Sequence, residues 1–438
     1  MCRIIRLSLL TNWFLLIVLS IFILSFHGCA GLKIIREKPP SFPVYPEDYL
    51  ERNDFVVSKE DDVIGQLAII RLEEGDTLPD IARHFSLGIN EISAANPGVD
   101  VWVPDAGERI MLPLSFILPD ASKKGIVINL AAMRLFQFKG ESKSLIVSTY
   151  PIGVGTEERP SPIGQMHITR KATRPTWYVP ASIAEDHRKK GDPLPAKVLP
   201  GPENPLGEYA LYLSKSTYLI HGTNKPASIG LKATNGCIRL YPEHIKRLYT
   251  DTPVKTPVSI VSQPYLVGQR NGVVYLEVHT PTEGSAAIDL EKVYSKLRNV
   301  EKESGRTIDW KKVKEVLAEA RGIPVPIFKI RQGVETGNPQ IVEIKHPDKL
   351  YGKPEVPELN LDAWYVLAAN MNDRLDAVRL AAIISHQGPP IPAMVLSVSD
   401  RHRVMAGPFN DVSEAKKAIK RLKIDLEIDG ILVEPARK

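Results

Sequence analysis

His221-Gly222-Thr223 and Thr234-Asn235-Gly236-Cys237-Ile238-Arg239 are the residues of this chain whose types and spacing could do covalent chemistry. Cys237 follows a glycine and lies sixteen positions after His221. The other cysteines, Cys2 and Cys29, lie in or beside an N-terminal apolar segment. A lone thiol in the body of an exported chain cannot close an intramolecular disulfide, so it is inert filler or a reactive group. A thiol is a weak nucleophile until it loses its proton to a base or is stabilised as thiolate by a cation. His221 can take the Cys237 proton and return it to a leaving amine. Its second ring nitrogen needs an orienting acceptor, which the carbonyl of Gly222, Thr223 or another nearby residue could supply. Gly236 lets the main chain approach a reacting oxyanion, so the N–H groups of Gly236 and Cys237 are the expected donors. A buried cysteine or histidine taken singly is more often packing than chemistry; the glycine-framed pair carries the reading. His167, His187, His244 and His402 have no such frame and are read as surface or core residues. The sequence offers no metal-ligand cluster, phosphate-binding glycine loop or credible carboxylate pair, so neither metal nor cofactor is expected.

The elements around the pair read as short strands. Residues 126–130, 133–138, 144–152, 209–213, 217–220 and 257–261 have strand character, with turns at Ser161-Pro162-Ile163-Gly164 and Pro202-Glu203-Asn204-Pro205. One brief helix is expected over 243–249. Many strands and one helix over 125–263 imply an all-β sandwich or partly closed barrel. Before it, residues 64–115 read strand, helix, helix, strand: Leu67–Leu72, then Leu78, Ile81, Ala82 and Phe85 at helical spacing, then Ile89, Ile92 and Ala95, then Glu108–Pro113. After it come a β extension (264–283), a helical connector (284–360) and a β-α-β-β-α-β run over 361–436, which is a ferredoxin-like order. The fold class expected is multidomain α+β.

The first residues set the compartment. Residues 1–29 combine Arg3 and Arg6 with an apolar run from 7 to 26, an export segment long enough to span a bilayer if retained. Gly28-Cys29 resembles a lipoprotein cleavage box, which makes Cys29 the lipidation candidate; ordinary cleavage and a retained anchor are the competing readings. Residues 30–63, with Pro39, Pro40, Pro43 and Pro46, read as an extended linker. A net charge of +5 over 438 residues gives no case for nucleic acid.

Three stretches resemble known families. Ile220-His221-Gly222-Thr223-Asn224 with Thr234-Asn235-Gly236-Cys237-Ile238-Arg239-Leu240 resembles the signature of YkuD-type L,D-transpeptidases, and Pro175-Thr176-Trp177-Tyr178-Val179-Pro180 and Asn204-Pro205-Leu206-Gly207 support it. The resemblance implies Cys237 as nucleophile, His221 as base and Gly222 as orienting carbonyl. It implies that Gly236 and Thr234 shape the pocket, and it puts Arg239, Asn235, Thr223 and Asn224 with Thr234 at the substrate. Many members carry His or Ser where this chain has Asn235. The Gly75-Asp76-Thr77-Leu78 turn, Asn96-Pro97 and the Ile110–Pro113 ending resemble a LysM domain, which implies glycan binding. Arg403-Val404-Met405-Ala406-Gly407-Pro408-Phe409 followed by Glu414-Ala415 resembles a SPOR domain, although Leu367 and Ala369-Asn370-Met371 depart from its usual first strand. Together these imply a peptidoglycan cross-linking enzyme of the cell envelope, acting on stem peptides and glycan strands. A ligase joining an envelope protein to peptidoglycan, a related hydrolase and a non-catalytic wall-binding scaffold are the rival readings.

Overall fold

The computed structural model describes residues 44–436, apart from 59, 141–144, 190, 281–285 and 330–340. The export segment and Cys29 lie outside the described residues. The stretch read as a linker does not remain a spacer over its last twenty residues. It supplies β1 (Val44–Tyr45), β2 (Asp54–Val56) and β3 (Val63–Gly65). The expected strand-helix-helix-strand unit follows as β4 (Ala68–Arg71), α1 (Leu78–His84), α2 (Ile89–Ala95) and β5 (Arg109–Leu112). Thr77 caps α1 by accepting from the Asp80 N–H (3.2 Å), and the Glu91 carboxylate reaches back to the Gly88 N–H (2.6 Å) to start α2. β6 (Ser115–Ile117) pairs with β3.

The next strands build the frame of the candidate site. They are β7 (Gly125–Asn129), β8 (Arg134–Lys139), β9 (Ile146–Pro151), β10 (Val154–Gly155) and the ten-residue β11 (Gly164–Thr173). Then come β12 (Trp177–Tyr178), α3 (Ala181–Lys189), β13 (Lys197–Val198), β14 (Tyr209–Leu213), β15 (Leu219–His221), β16 (Lys232–Thr234), β17 (Ile238–Arg239), α4 (Pro242–Asp251) and β18 (Pro257–Val261). One nine-stranded sheet runs β17-β15-β14-β11-β18-β7-β8-β9-β2. The sequence implied a sandwich or partial barrel; the architecture is one curled sheet. β11 makes this possible: its first half pairs with β18 and its second half with β14. The sheet closes over a core of Ile126, Ile128, Leu135 and Tyr150 from one end and Ile168, Leu211, Leu213, Ile220 and Ile238 from the other, with Ile245 and Leu248 of α4.

The outer face of β7–β9 is not solvated. Val127, Phe136, Phe138 and Val147 join Leu78, Ile81, Phe85 and Ile92 of the small helical unit in a second core. β8 is accordingly buried from Arg134 to Phe138, since both of its faces are covered. A buried ion pair crosses the same seam: Arg134, 1% exposed, donates from Nε and Nη2 to the two Glu91 oxygens (2.6 and 2.7 Å).

The C-terminal third begins with β19 (Tyr265–Arg270), β20 (Val273–Val278), α5 (Ala286–Ser304) and α6 (Trp310–Glu319), then β21 (Val325–Pro326) and β22 (Val342–Ile344). Among the described residues, the connector expected to be helical is helical only in its first half. β22 inserts in parallel between β1 and β4, so the small unit's sheet reads β1-β22-β4-β5. The last domain is β23 (Trp364–Met371), α7 (Arg374–Ser385), β24 (Ala393–Val398), β25 (Arg401–Phe409), α8 (Val412–Leu426) and β26 (Ile431–Val433), in the sheet order β24-β25-β23-β26. This is the expected β-α-β-β-α-β arrangement. Among the described residues no helix is long and apolar enough to cross a membrane.

Candidate active site

The site lies on the face of the curled sheet opposite the Ile168–Leu211–Ile220–Ile238 core. Because side chains alternate along a strand, the register decides which residues share that face. Ala172 pairs with Ala210, Ala210 with His221, and His221 with Arg239. These four form one row across β11, β14, β15 and β17. The two alanines leave room above it. Cys237 immediately precedes β17, at the level of Leu219, so it stands one step along from His221. Together these elements line a cleft of about 900 Å³ that contains His221, Thr234, Asn235, Cys237 and Arg239.

The loop carrying Cys237 is held from within. The Thr234 hydroxyl donates to the Cys237 carbonyl (2.7 Å) and accepts from the Gly236 N–H (3.2 Å). Gly236 has φ +99°, and a Cβ there would stand 2.7 Å from the Tyr218 ring. Only glycine fits that turn without strain. The bond to Thr234 occupies the Gly236 N–H, so the oxyanion donor expected at Gly236 is already engaged. That leaves Gly236 the role of shaping the turn.

His221 is 4% exposed, and its Nδ1 lies 2.6 Å from the Gly222 carbonyl. A carbonyl only accepts, so Nδ1 carries the proton and Nε2 is left as the basic nitrogen. Burial, reinforced by the Arg239 guanidinium, pulls the imidazole down to about 3, against the opposing carbonyls of Gly222 and Leu206. His221 is therefore neutral at rest. Burial also pushes the Cys237 thiol up, and the Leu219 main chain and Arg239 offset this only in part. The resting pair is thiol and neutral imidazole, not the preformed thiolate that a lowered cysteine pKa would give. Sγ lies 4.0 Å from the Thr217 carbonyl. Among the described residues no hydrogen bond joins it to His221.

Arg239 is the cation behind both groups. Its Nη1 donates to Ser228 Oγ (2.8 Å), while its buried Nε has no partner. Burial lowers it to about 10, which still leaves it charged at neutral pH. Asn235 is exposed, and its Oδ1 accepts from Arg159, which also pairs with Asp186 of α3.

Two sequence-based expectations fall elsewhere. Thr223 and Asn224 do not line the cleft. Thr223 is buried and its hydroxyl accepts from the Lys225 N–H (2.9 Å); the Asn224 amide donates to the Pro202 carbonyl (3.1 Å). Both residues shape the turn after His221. Conversely, Arg159, Arg170, Trp177, Tyr178, Ile183 and Tyr212 line the cleft without having been singled out as site residues. β12 and α3 form one wall, and none of the α3 side chains is buried. A helix lying as a wall over a cleft has no apolar stripe for sequence reading to find. Among the described residues no group of histidine, cysteine and carboxylate ligands could hold a metal.

This chain is similar to known proteins. Residues 123–260 match the L,D-transpeptidase catalytic domain, and residues 360–434 match the SPOR domain. The probable L,D-transpeptidase ErfK/SrfK of Salmonella typhimurium is 36% identical over 282 residues, covering 62% of this chain and 90% of that protein. The probable L,D-transpeptidase YbiS of Escherichia coli is 39% identical over 229 residues, covering 51% of this chain and 74% of that protein. The catalytic domain of the E. faecium L,D-transpeptidase, solved by NMR, aligns with 32% of this chain and 99% of its own at 18% identity and a TM-score of 0.25. The 36% identity to ErfK/SrfK over 90% of its length, on a sheet that sets histidine and cysteine in one cleft, shows that the chain belongs to the L,D-transpeptidase family.

Proposed function

We propose that this enzyme cross-links peptidoglycan through a thioester on Cys237. The observation that carries the reading is the His221–Gly222 hydrogen bond of 2.6 Å, which orients a neutral imidazole in the cleft that also holds the thiol. Donor binding brings the thiol and Nε2 together. Nε2 takes the thiol proton as Sγ attacks the peptide carbonyl after an L-centre of the donor stem. The tetrahedral oxyanion is met by the Cys237 N–H, with the Arg239 charge behind it. The imidazolium then gives its proton to the departing D-alanine amine. An amine of a second stem attacks the thioester, loses a proton to His221 and releases the thiol, which leaves a link between two diamino acid residues. One peptide bond is exchanged for another, so no cofactor is required.

The remaining domains support the same assignment. The LysM-like unit and the SPOR domain would hold glycan strands, raising the local concentration of stems without adding a catalytic contact. Export through residues 1–29, with Cys29 as the lipidation candidate, would place the enzyme in the periplasm or envelope. We take the functional domains as 64–115, 125–263 and 361–436, joined by 264–283 and 284–360. A protein lysine or water as acceptor is the second reading. The resting cleft favours neither, because thioester formation is common to all three.

The test is to incubate the protein with purified disaccharide-tetrapeptide and follow products by mass spectrometry, beside Cys237→Ala. A cross-linked dimer lighter by one alanine, absent with the variant, is the expected result. Alanine loss without dimer would move the assignment to the hydrolase or ligase reading. No alanine loss from either protein would overturn it.

A further inference from the structure

The structure assigns Arg170 as the residue that selects the donor by one of its carboxylates, an inference that rests on the proposed peptide substrate. Met166 and Ile168 of β11 point into the core, so strict alternation would send residue 170 inward too. It does not go there. The register slips between Ile168 and Arg170: Ile168 pairs with Leu213, and Arg170 with Tyr212, the very next residue. Thr169 is the extra residue, and its hydroxyl donates to the Tyr212 carbonyl (3.1 Å). The bulge turns Arg170 and Ala172 onto the cleft face and sends Lys171 to the other side, where it reaches the Tyr249 carbonyl. A bulge that re-aims one side chain at an active site is a built feature, not a packing accident.

The guanidinium so placed has no acid to neutralise it. Among the described residues it makes no ion pair and no hydrogen bond. It lies 3.2 Å over the Tyr212 ring, which holds it by cation–π contact and leaves its N–H edges free. The other two arginines lining the cleft are engaged: Arg159 by Asp186 and Asn235, Arg239 by Ser228. Glu158, the carboxylate among the described lining residues, does not pair with Arg170. An exposed, pre-stacked guanidinium with free N–H edges suits a ligand carboxylate.

Its position limits the carboxylate to those near the scissile bond. Arg170, Tyr212, Leu219 and Cys237 lie along one row across four neighbouring strands. At about 4.8 Å per strand the main chains of 170 and 237 are about 14 Å apart, and the guanidinium, lying over Tyr212, is about 10 Å from the thiol. A peptide extends about 3.4 Å per residue. About 3 Å of that span lies between the thiol and the scissile carbonyl and about 4 Å between the guanidinium and a bound carboxylate, which leaves about one residue of peptide. The candidates are the carboxylate of the leaving residue, the one on the side chain of the residue bearing the scissile carbonyl, and the one on the residue before it.

The experiment measures binding by calorimetry to Cys237→Ala and to Cys237→Ala/Arg170→Gln, with KM and kcat for Arg170→Gln and Arg170→Lys. The donors are the tetrapeptide stem and three versions amidated singly at the side-chain, preceding-residue or C-terminal carboxyl. Arg170→Gln should weaken binding of the free stem at least tenfold and raise KM by a similar factor, with kcat within about twofold, and lysine should restore part of it. One of the three amides should bind the parent as weakly as the free stem binds the glutamine variant, and should be indifferent to the substitution; which one it is names the carboxylate. Equal losses with every donor, or no loss with any, would each overturn the inference. Binding is read without turnover, so an enzyme that binds stems but fails to release alanine counts against the proposed function and not against Arg170.

Discussion

At the scale of single residues, the site stores its two reacting groups uncharged. Burial depresses His221 and raises Cys237, so each resists the charge it must carry in the reaction. A histidine held at about 3 stays a competent base in mild acid. Single-turnover acylation should stay flat from pH 7 to 5 and lack the limb near 6.5 of an ordinary imidazole; a midpoint between 6 and 6.5 would mean that His221 is not held neutral. Stability should behave differently in the same window. His221 and His244, the latter lowered to about 4 by burial, are neutral in the folded chain and titrate near 6.5 when unfolded. Below 6.5 the unfolded state therefore binds more protons. Their contribution is fully present above 6.5 and is lost as pH falls, by about 1.4 kcal/mol per pH unit for each histidine. Denaturant unfolding at pH 7, 6 and 5 should show that decline while acylation holds. Thr234 and Gly236 were legible in the sequence as pocket residues, but the bond between them was not, because a two-residue hydrogen bond leaves no mark on spacing.

At the scale of elements, what the sequence concealed was pairing between distant segments. The strands of the catalytic sheet were readable because alternation and turn residues are local signals. β22 joins β4 across more than 270 residues, and β2 joins β9 from within a stretch that reads as spacer. A two- or three-residue strand has too little pattern to announce itself, and its partner decides its state. β11 was missed for a related reason: its bulge breaks the alternation that identifies a strand. Arg134 shows what these joints are worth. It crosses from β8 to Glu91 of α2, to the Ser86 carbonyl (3.1 Å) and to Thr149 Oγ1 (3.2 Å), with Phe116 below its guanidinium. Removing one partner of so buried a pair strands the other charge and costs about 3–5 kcal/mol. Arg134→Met should lower stability by that amount while the small unit and the catalytic sheet still melt in one transition. Two separated transitions would show that the shared core does not couple them.

At the scale of the whole molecule, the C-terminal domain does not hang free of the catalytic one. Lys420 on α8 pairs with Asp192, just beyond α3 (2.8 Å), and Asp425 pairs with Lys225 in the turn after His221 (3.2 Å). On its other side α7 reaches the small unit, where Arg379 meets Asp100 (2.9 Å), and His386 at the end of α7 meets Asp80 (3.1 Å). Asp192 also accepts from His187 of α3 (3.2 Å); burial raises its carboxyl, but the Lys420 and His187 contacts outweigh that and hold it below the usual range. The wall of the cleft is thus tied at both ends, by Arg159 to the cysteine loop and by Lys420 to the SPOR domain. An exposed pair of this kind is worth at most about 1 kcal/mol and weakens with salt. It is too weak to set global stability yet strong enough to bias a segment whose own helix buries no side chain. Lys420→Ala should leave the melting temperature unchanged and speed amide exchange over 181–198 up to about fivefold, as should raising the salt on the parent protein. Faster exchange spread across the catalytic sheet would mean that Lys420 supports the fold at large. Exchange unchanged over 181–198 would mean that the wall is fixed by Arg159 alone, and that events at the SPOR domain have no path to the cleft through this contact.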